Sequence, residues 1–251
     1  MSAAGRDASL EPAFVLHTRP YRNTSLLLEV LSRVHGRVGL VAKGVRGGRS
    51  RTAGLLQPFQ PLALSWRLRG EMGTLQQVES AGPALPLQGR RLVSGLYANE
   101  LLMRVLGRED PHPGLFENYV RLIDALAANE PEAPALRTFE RDLLGMLGYG
   151  LSLSADRQGH RLVPEQRYRY DPLNGAIPVT DSQTSGVVMI GQHLINLAKD
   201  PMSAETAKAT RALMRAALAP HLGGRPLKTR ELYARYPVQG DNDDGPSSGQ
   251  S

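Results

Sequence analysis

From Ala13 to Ser80 the apolar residues alternate with polar ones or gather in short runs broken by turn residues, a pattern that predicts strands. The segments are AFVLHT at 13–18, LLLEVLS at 26–32, RVGLVAKG at 37–44, LALSWRL at 62–68 and GTLQQVES at 73–80. Five strands so closely spaced predict a small, partly open barrel of the OB type, whose strand face and loops commonly grip nucleic acid. The step LSRVHGRVGLV predicts a hairpin with Gly36 supplying the positive φ of its turn. KGVRGGRSRTAGLLQ, from Lys43 to Gln57, predicts a mobile loop.

After residue 88 the period lengthens to about 3.6. Leu92, Val93, Leu96, Tyr97, Leu101, Leu102 and Val105 form a stripe that predicts a helix over 88–107, ended by Pro111 and Pro113. A second helix is predicted by Leu115, Phe116, Tyr119, Val120, Ile123 and Leu126, and a third over 134–148 by Leu136, Phe139, Leu143 and Leu147. Strand texture then returns, with RYRYDPLNGAIPV predicting a hairpin about Asn174 and Gly175. Helices are predicted at 191–199, at 204–222 and in LKTRELYARY. The expected architecture is α+β: a five-stranded OB-like barrel over 12–82, a helical domain over 83–150, a small β-ribbon-like segment over 151–180, and C-terminal helices over 181–236 that pack with the helical domain. Residues 1–11 and the acidic, apolar-poor tail 237–251 are expected to be disordered.

Charge sharpens this picture. The chain of 251 residues carries a formal +6, and the excess is uneven: +7 over 12–82, −2 over 83–150 and +5 over 151–236. Two basic blocks flanking an acidic one point to an anionic partner. With no cysteine, disulfides and cysteine zinc sites are excluded, and a reducing compartment is the natural expectation. No run of 18 apolar residues is present, and Arg6, Asp7 and Glu11 interrupt any signal peptide, so a cytoplasmic protein without membrane contact is expected.

Catalytic signatures are missing. Gly44-Val45-Arg46-Gly47-Gly48-Arg49-Ser50 has neither the spacing nor the lysine of a phosphate loop, and His17, His35, His112, His160, His193 and His221 are scattered without ligand spacing. Glu100, on or beside an apolar stripe next to Asn99, reads either as a buried functional acid or as a hydrogen-bonded structural carboxylate. The densest signal is cationic: Lys43, Arg46, Arg49 and Arg51 stand among glycines in nine residues without an acid, suited to a polyanion or to simple solvation. Arg19, Arg22, Arg33 and Arg37 could extend that face, and Tyr21 and Trp66 could stack on bases or fill the barrel. A second cluster comprises Arg211, Arg215, Arg225, Lys228 and Arg230; the i, i+4 repulsion of Arg211 and Arg215 invites an anion. Arg137 beside Leu143, Met146 and Leu147 reads either as an ordinary surface cation or as the edge of a groove for an acidic, hydrophobic peptide end.

AFVLHTRPYRNTSLLLEVLSRVHGRVGLVAKGVRGGRS, LLQPFQPL, SGLYANELLMRVL, FERDLLGMLGYG and LGGRPLKTRELY, in this order across about 13–236, resemble the RecO family of bacterial recombination mediators. The resemblance implies an OB-fold, a helical region and an interrupted C-terminal segment. It also implies binding to single- and double-stranded DNA, annealing of complementary strands, and cooperation with RecR to load RecA onto DNA coated by the single-stranded DNA-binding protein. No enzymatic activity and no cofactor are implied, and the Arg137 groove would take that coating protein's acidic tail. Many members hold zinc with four cysteines in the ribbon, which this chain cannot do. Two rivals remain: a metal-dependent nuclease using Glu29, Glu71 and Glu79, and a protein adaptor that touches DNA only incidentally.

Overall fold

The computed structural model describes residues 9–46, 51–70, 72–171, 174–179, 187–199, 207–233 and 235–236. Strands β1 (Glu11–Tyr21), β2 (Ser25–Ser32) and β3 (Gly36–Ala42) form an antiparallel meander, and β4 (Leu62–Arg69) and β5 (Met72–Ser80) form a hairpin. A parallel contact of β3 with β5 and an antiparallel contact of β4 with β1 close the barrel in the order β1-β2-β3-β5-β4. The sequence led to a partly open barrel; the barrel is closed. Glu11, which the sequence assigned to a disordered terminus, pairs opposite Leu64 at the start of β1.

Alternation along the strands puts Ala13, Val15, Leu28, Val30, Leu40 and Leu64 into the barrel interior. Trp66 joins them at 2% exposure, so it fills the barrel and offers no face to a base. The stretch expected to be a mobile loop contains regular structure. Its second half forms the short helix α1 (Arg51–Leu55), and Leu55 and Leu56 pack on the barrel core.

Three long helices follow: α2 (Gly89–Val105), α3 (Leu115–Ala127) and α4 (Glu132–Met146). Their core includes Phe14, Leu16 and Leu31, which face outward from β1 and β2. Phe14 meets Tyr119 edge-on at 5.2 Å and Phe116 at 5.7 Å. Buried Asn99 of α2 donates to the Leu16 carbonyl at 3.0 Å and accepts from the Tyr119 hydroxyl at 2.7 Å, satisfying groups that burial would otherwise leave unpaired. Leu92, placed on the apolar stripe by its spacing, instead stands exposed beyond the edge of the contact. Gly36 is fixed by space as well as by its φ of +66°, since a Cβ there would lie 2.5 Å from the Asp110 carbonyl oxygen.

The ribbon is a three-stranded sheet, β6 (Arg167–Asp171), β7 (Gly175–Pro178) and β8 (Val187–Ile190), in the order β7-β6-β8. The third strand takes it past residue 180. Tyr168, Tyr170 and Met189 pack with Leu194 and Leu197 of α5 (Gly191–Lys199) and with Leu213 of α6 (Ala207–Leu218). The next residues of α6, Met214, Ala217 and Leu218, enter the large helical core, so this one helix joins ribbon to bundle. A 3-10 turn (Ala219–Leu222) and the short helix α7 (Thr229–Tyr233) end the described chain.

The ribbon turns are held by side-chain hydrogen bonds. Asp156 accepts from the Gln158 and His160 amides at 2.9 Å, and Asp171 accepts from the Asn174 amide at 2.8 Å. Arg157 donates its amide to the Ala176 carbonyl, tying the two turns together. Desolvation pushes the Asp156 carboxyl upward, but the His160 and Gln158 amides and the His160 ring outweigh it and hold the group below its ordinary value. These donors do not fit a zinc site. Asp156 is committed to amides, and among the described residues no group of three His, Asp or Glu gathers to hold a metal.

Asn99→Leu leaves the Leu16 carbonyl and the Tyr119 hydroxyl buried without partners, so urea unfolding is expected to show a loss of about 2–4 kcal/mol. Because barrel and helices share that core, the variant should still unfold in one transition.

Candidate nucleic-acid interface

The register of β1, β2 and β3 places Arg19 opposite Leu27 and Leu26 opposite Ala42, so the β1–β2 turn and the chain leaving β3 emerge at the same end of the barrel. Two hydrogen bonds bind them there. The Arg46 amide donates to the Thr24 carbonyl at 2.9 Å, and its guanidinium to the Arg22 carbonyl at 3.3 Å. Arg22 has a φ of +52°, an uncommon conformation for a residue with a side chain, and its guanidinium stands 5.2 Å from the Tyr21 ring centre. Tyr21 is 37% exposed. Tyr21, Arg22, Asn23, Thr24, Val41 and Lys43 line a shallow groove of about 400 Å³.

Arg19, Arg22, Lys43 and Arg46 are all exposed at this end. Among the described residues no carboxylate lies within ion-pairing distance of them, and the sequence from residue 30 to 70 contains no acid. The arrangement can meet a phosphate backbone with several cations and offer an aromatic face beside it. Arg49 lies outside the described residues, and Arg51 is described only as the first residue of α1.

Arg33 and Arg37 do not belong to this cluster. They lie at the other end of the β2–β3 hairpin, where Arg33 pairs with Glu117 at 2.7 Å. Arg37 pairs with Glu29 at 2.9 Å and donates to the carbonyls of Met103 and Leu106 at 2.6 and 3.0 Å. Arg108 also binds Glu29. The nearness of Arg37 in sequence suggested DNA contact, but its guanidinium is spent fastening the barrel to the end of α2. The same clamp removes Glu29 from any metal-binding trio; Glu79 stands exposed on β5, and Glu71 lies outside the described residues.

The second basic cluster follows α6. Arg211 and Arg215 stand exposed on that helix, and Arg225, Lys228 and Arg230 stand exposed beyond it. The chain here runs back along α2: Arg104 holds the Leu222 and Pro226 carbonyls, Ser94 meets the Tyr233 hydroxyl, and Arg90 holds the Tyr236 carbonyl. Glu100 accepts from the Lys228 amide at 2.8 Å and from the Thr229 amide and hydroxyl at 2.9 Å. Of the two readings of Glu100 the structural one holds, since its carboxylate caps the start of α7. Asn99 faces the barrel while Glu100 faces the C-terminal segment, so the two basic blocks reach α2 from different faces.

The residues grouped around Arg137 separate in the structure. Arg137 is 17% exposed and lies 2.9 Å from Glu140, which is fully buried and accepts from the Tyr97 hydroxyl. Burial pushes the Glu140 carboxyl up, against the pull of Arg137 and the Tyr97 hydrogen bond. Leu143 belongs to the core, and Leu147 packs partly buried against it. Met146 lines an open cleft of about 650 Å³ with Arg141, Asp142, Gly145, Leu151 and Leu153. Arg141, one helical turn past Arg137, was not singled out by the sequence; the i, i+4 spacing from Arg137 was the available signal.

Comparison with known proteins divides the chain where the barrel ends and the helices begin. Residues 8–84 match the family model described as Recombination protein O N terminal, and residues 86–231 match Recombination protein O C terminal. The chain is 44% identical over 224 residues to a DNA repair protein RecO of Burkholderia pseudomallei, covering 88% of this chain and 82% of the relative. It is 46% identical over 228 residues to the RecO of Ralstonia nicotianae, covering 89% and 83%. With the Pseudomonas aeruginosa RecO the identity is 44% over 227 residues, covering 90% and 95%. Both halves of the molecule therefore match one family in one order, and the chain belongs to the RecO family of DNA repair and recombination proteins.

Proposed function

We propose that this chain is a recombination mediator that binds single- and double-stranded DNA and anneals complementary strands. With RecR, it promotes RecA loading onto DNA coated by the single-stranded DNA-binding protein. The observation that carries this reading is the barrel end, where Arg22 and Lys43 line a groove with Tyr21, Arg19 and Arg46 stand exposed at the same end, and among the described residues no carboxylate pairs with any of the four. Annealing needs no bond to be made or broken. Cations that neutralise phosphates on two strands lower their repulsion, and a grip on backbone alone leaves base edges free to find complements. Arg211, Arg215, Arg225, Lys228 and Arg230 supply a second contact.

The acidic tail of the coating protein is assigned to α4. Arg137, paired with Glu140, and Arg141, whose guanidinium lies 2.8 Å from Asp142, set two guanidinium groups one turn apart; Met146 lines the adjoining cleft, while Leu147 packs against the helical core to which Leu143 belongs. A carboxylate-bearing apolar peptide suits such a surface.

Replacing Arg22, Lys43 and Arg46 together by alanine removes up to three phosphate contacts. Filter binding to a single strand over a salt series should then give a slope of log affinity against log salt that is shallower by about 2. An unchanged slope would remove the barrel end from the interface.

Annealing of labelled complementary strands in EDTA, naked and coated, tests the mediator reading itself. Wild type should anneal both, whereas Arg137→Ala with Arg141→Ala should anneal naked strands normally and coated strands poorly. Failure of wild type to anneal either, with DNA binding intact, would favour the adaptor. Cleavage that requires a divalent metal would favour the nuclease.

A further inference from the structure

Tyr149 follows the end of α4 and belongs to no core cluster: it is 50% exposed, although its backbone is fixed by donation from its amide to the Leu144 carbonyl at 2.8 Å. Its ring lies 4.0 Å, centre to centre, from the ring of His221 at an angle of 36°. His221 is held in turn by the 3-10 turn Ala219–Leu222, whose Leu222 packs on the helical core and whose carbonyl is gripped by Arg104. The two rings thus pack as a tilted pair with Tyr149 half exposed.

The chain on either side of His221 is basic. From Ala207 to Arg230 the sequence carries six Lys and Arg and no acid. Immediately after Leu222, Gly223 and Gly224 both take positive φ, and a Cβ at either would meet nothing within 4 Å. The chain therefore bends through open space to the exposed Arg225, four residues from the stacked histidine. A half-exposed pair of aromatic rings with an arginine four residues further along the chain has the composition of a single-strand binding surface, where bases stack and cations follow the backbone. A duplex keeps its bases stacked on one another and has none to place there.

We propose that Tyr149 and His221 form a stacking platform for an unpaired base of a single DNA strand, with Arg225 meeting the adjoining phosphate. The proposal rests on the DNA-binding reading above and deepens it. The barrel end and the basic residues bind either kind of DNA by charge, whereas this platform favours single strands. In annealing, it holds a base in the unpaired state and releases it when a complement arrives, because a duplex cannot occupy it.

The test uses the full chain and a thymidine strand bearing one 2-aminopurine, whose fluorescence falls on stacking. Binding of wild type should quench the probe. Tyr149→Phe should keep the quenching, whereas Tyr149→Ala should abolish it and weaken single-strand affinity about 5- to 10-fold, with duplex affinity within about 2-fold of wild type. As a measurement that needs no variant, a 5-iodouracil strand crosslinked to wild type by ultraviolet light should label a peptide containing Tyr149 or His221. Quenching retained in Tyr149→Ala, equal loss of single-strand and duplex affinity, or crosslinks confined to other peptides would each overturn the proposal. The two readings fail differently. If wild type binds strands in an Arg22- and Arg46-dependent way while the platform tests are negative, only the platform falls; if wild type binds no DNA, both do.

Discussion

Strand β2 and the Ala13–Leu16 stretch of β1 are buried on both faces, and the rest of the structure is arranged around that constraint. Val15 and Leu28 look into the barrel, while Phe14, Leu16 and Leu31 look out into the helices. A barrel alone would expose those three side chains and leave the Leu16 carbonyl facing Asn99 without its donor. The barrel and the helical region are consequently one folding unit in the energetic sense, and α2 is the shared wall, with β1 on one side and the C-terminal segment capped by Glu100 on another.

The same docking sorts the arginines. Where the hairpin of β2 and β3 meets α2, Arg37 and Arg108 share Glu29 and Arg33 takes Glu117. At the far end of those strands Arg19, Arg22, Lys43 and Arg46 stand exposed, with no carboxylate within ion-pairing distance among the described residues. A molecule with a modest net charge can therefore present a concentrated positive field at one end while using equally basic residues elsewhere as fasteners.

Much of the fold was legible because it depends on local periodicity. The alternation in β1 to β5 and the stripes of α2 to α4 marked those elements within a few residues. What local pattern could not show was the partner of each surface. Phe14 and Leu16 extend the apolar run of β1, but nothing in the run says that its outer face meets Tyr119. Trp66 was open between core and stacking because a strand residue can face either way, and Glu100 was open because the amides it caps lie about 130 residues on. Arg37 was misplaced for a related reason: six residues along a strand carry it to the opposite end of the barrel from Lys43. Strand β8 escaped notice because four residues directly before a helix carry little period of their own. The family could be recognised from ordered motifs, whereas which cations are paired with acids, as Arg33 and Arg37 are, could be told only from the tertiary contacts.

Hydrogen exchange of the full chain with and without a saturating thymidine strand tests this sorting most directly. The account predicts slowed exchange at the amides of residues 21–25 and 43–46, with no change at 32–37, where the arginines are already committed. Protection centred on 32–37 with none at 21–25 and 43–46 would contradict it, because the strand would then be held by the end of the barrel that the structure assigns to docking.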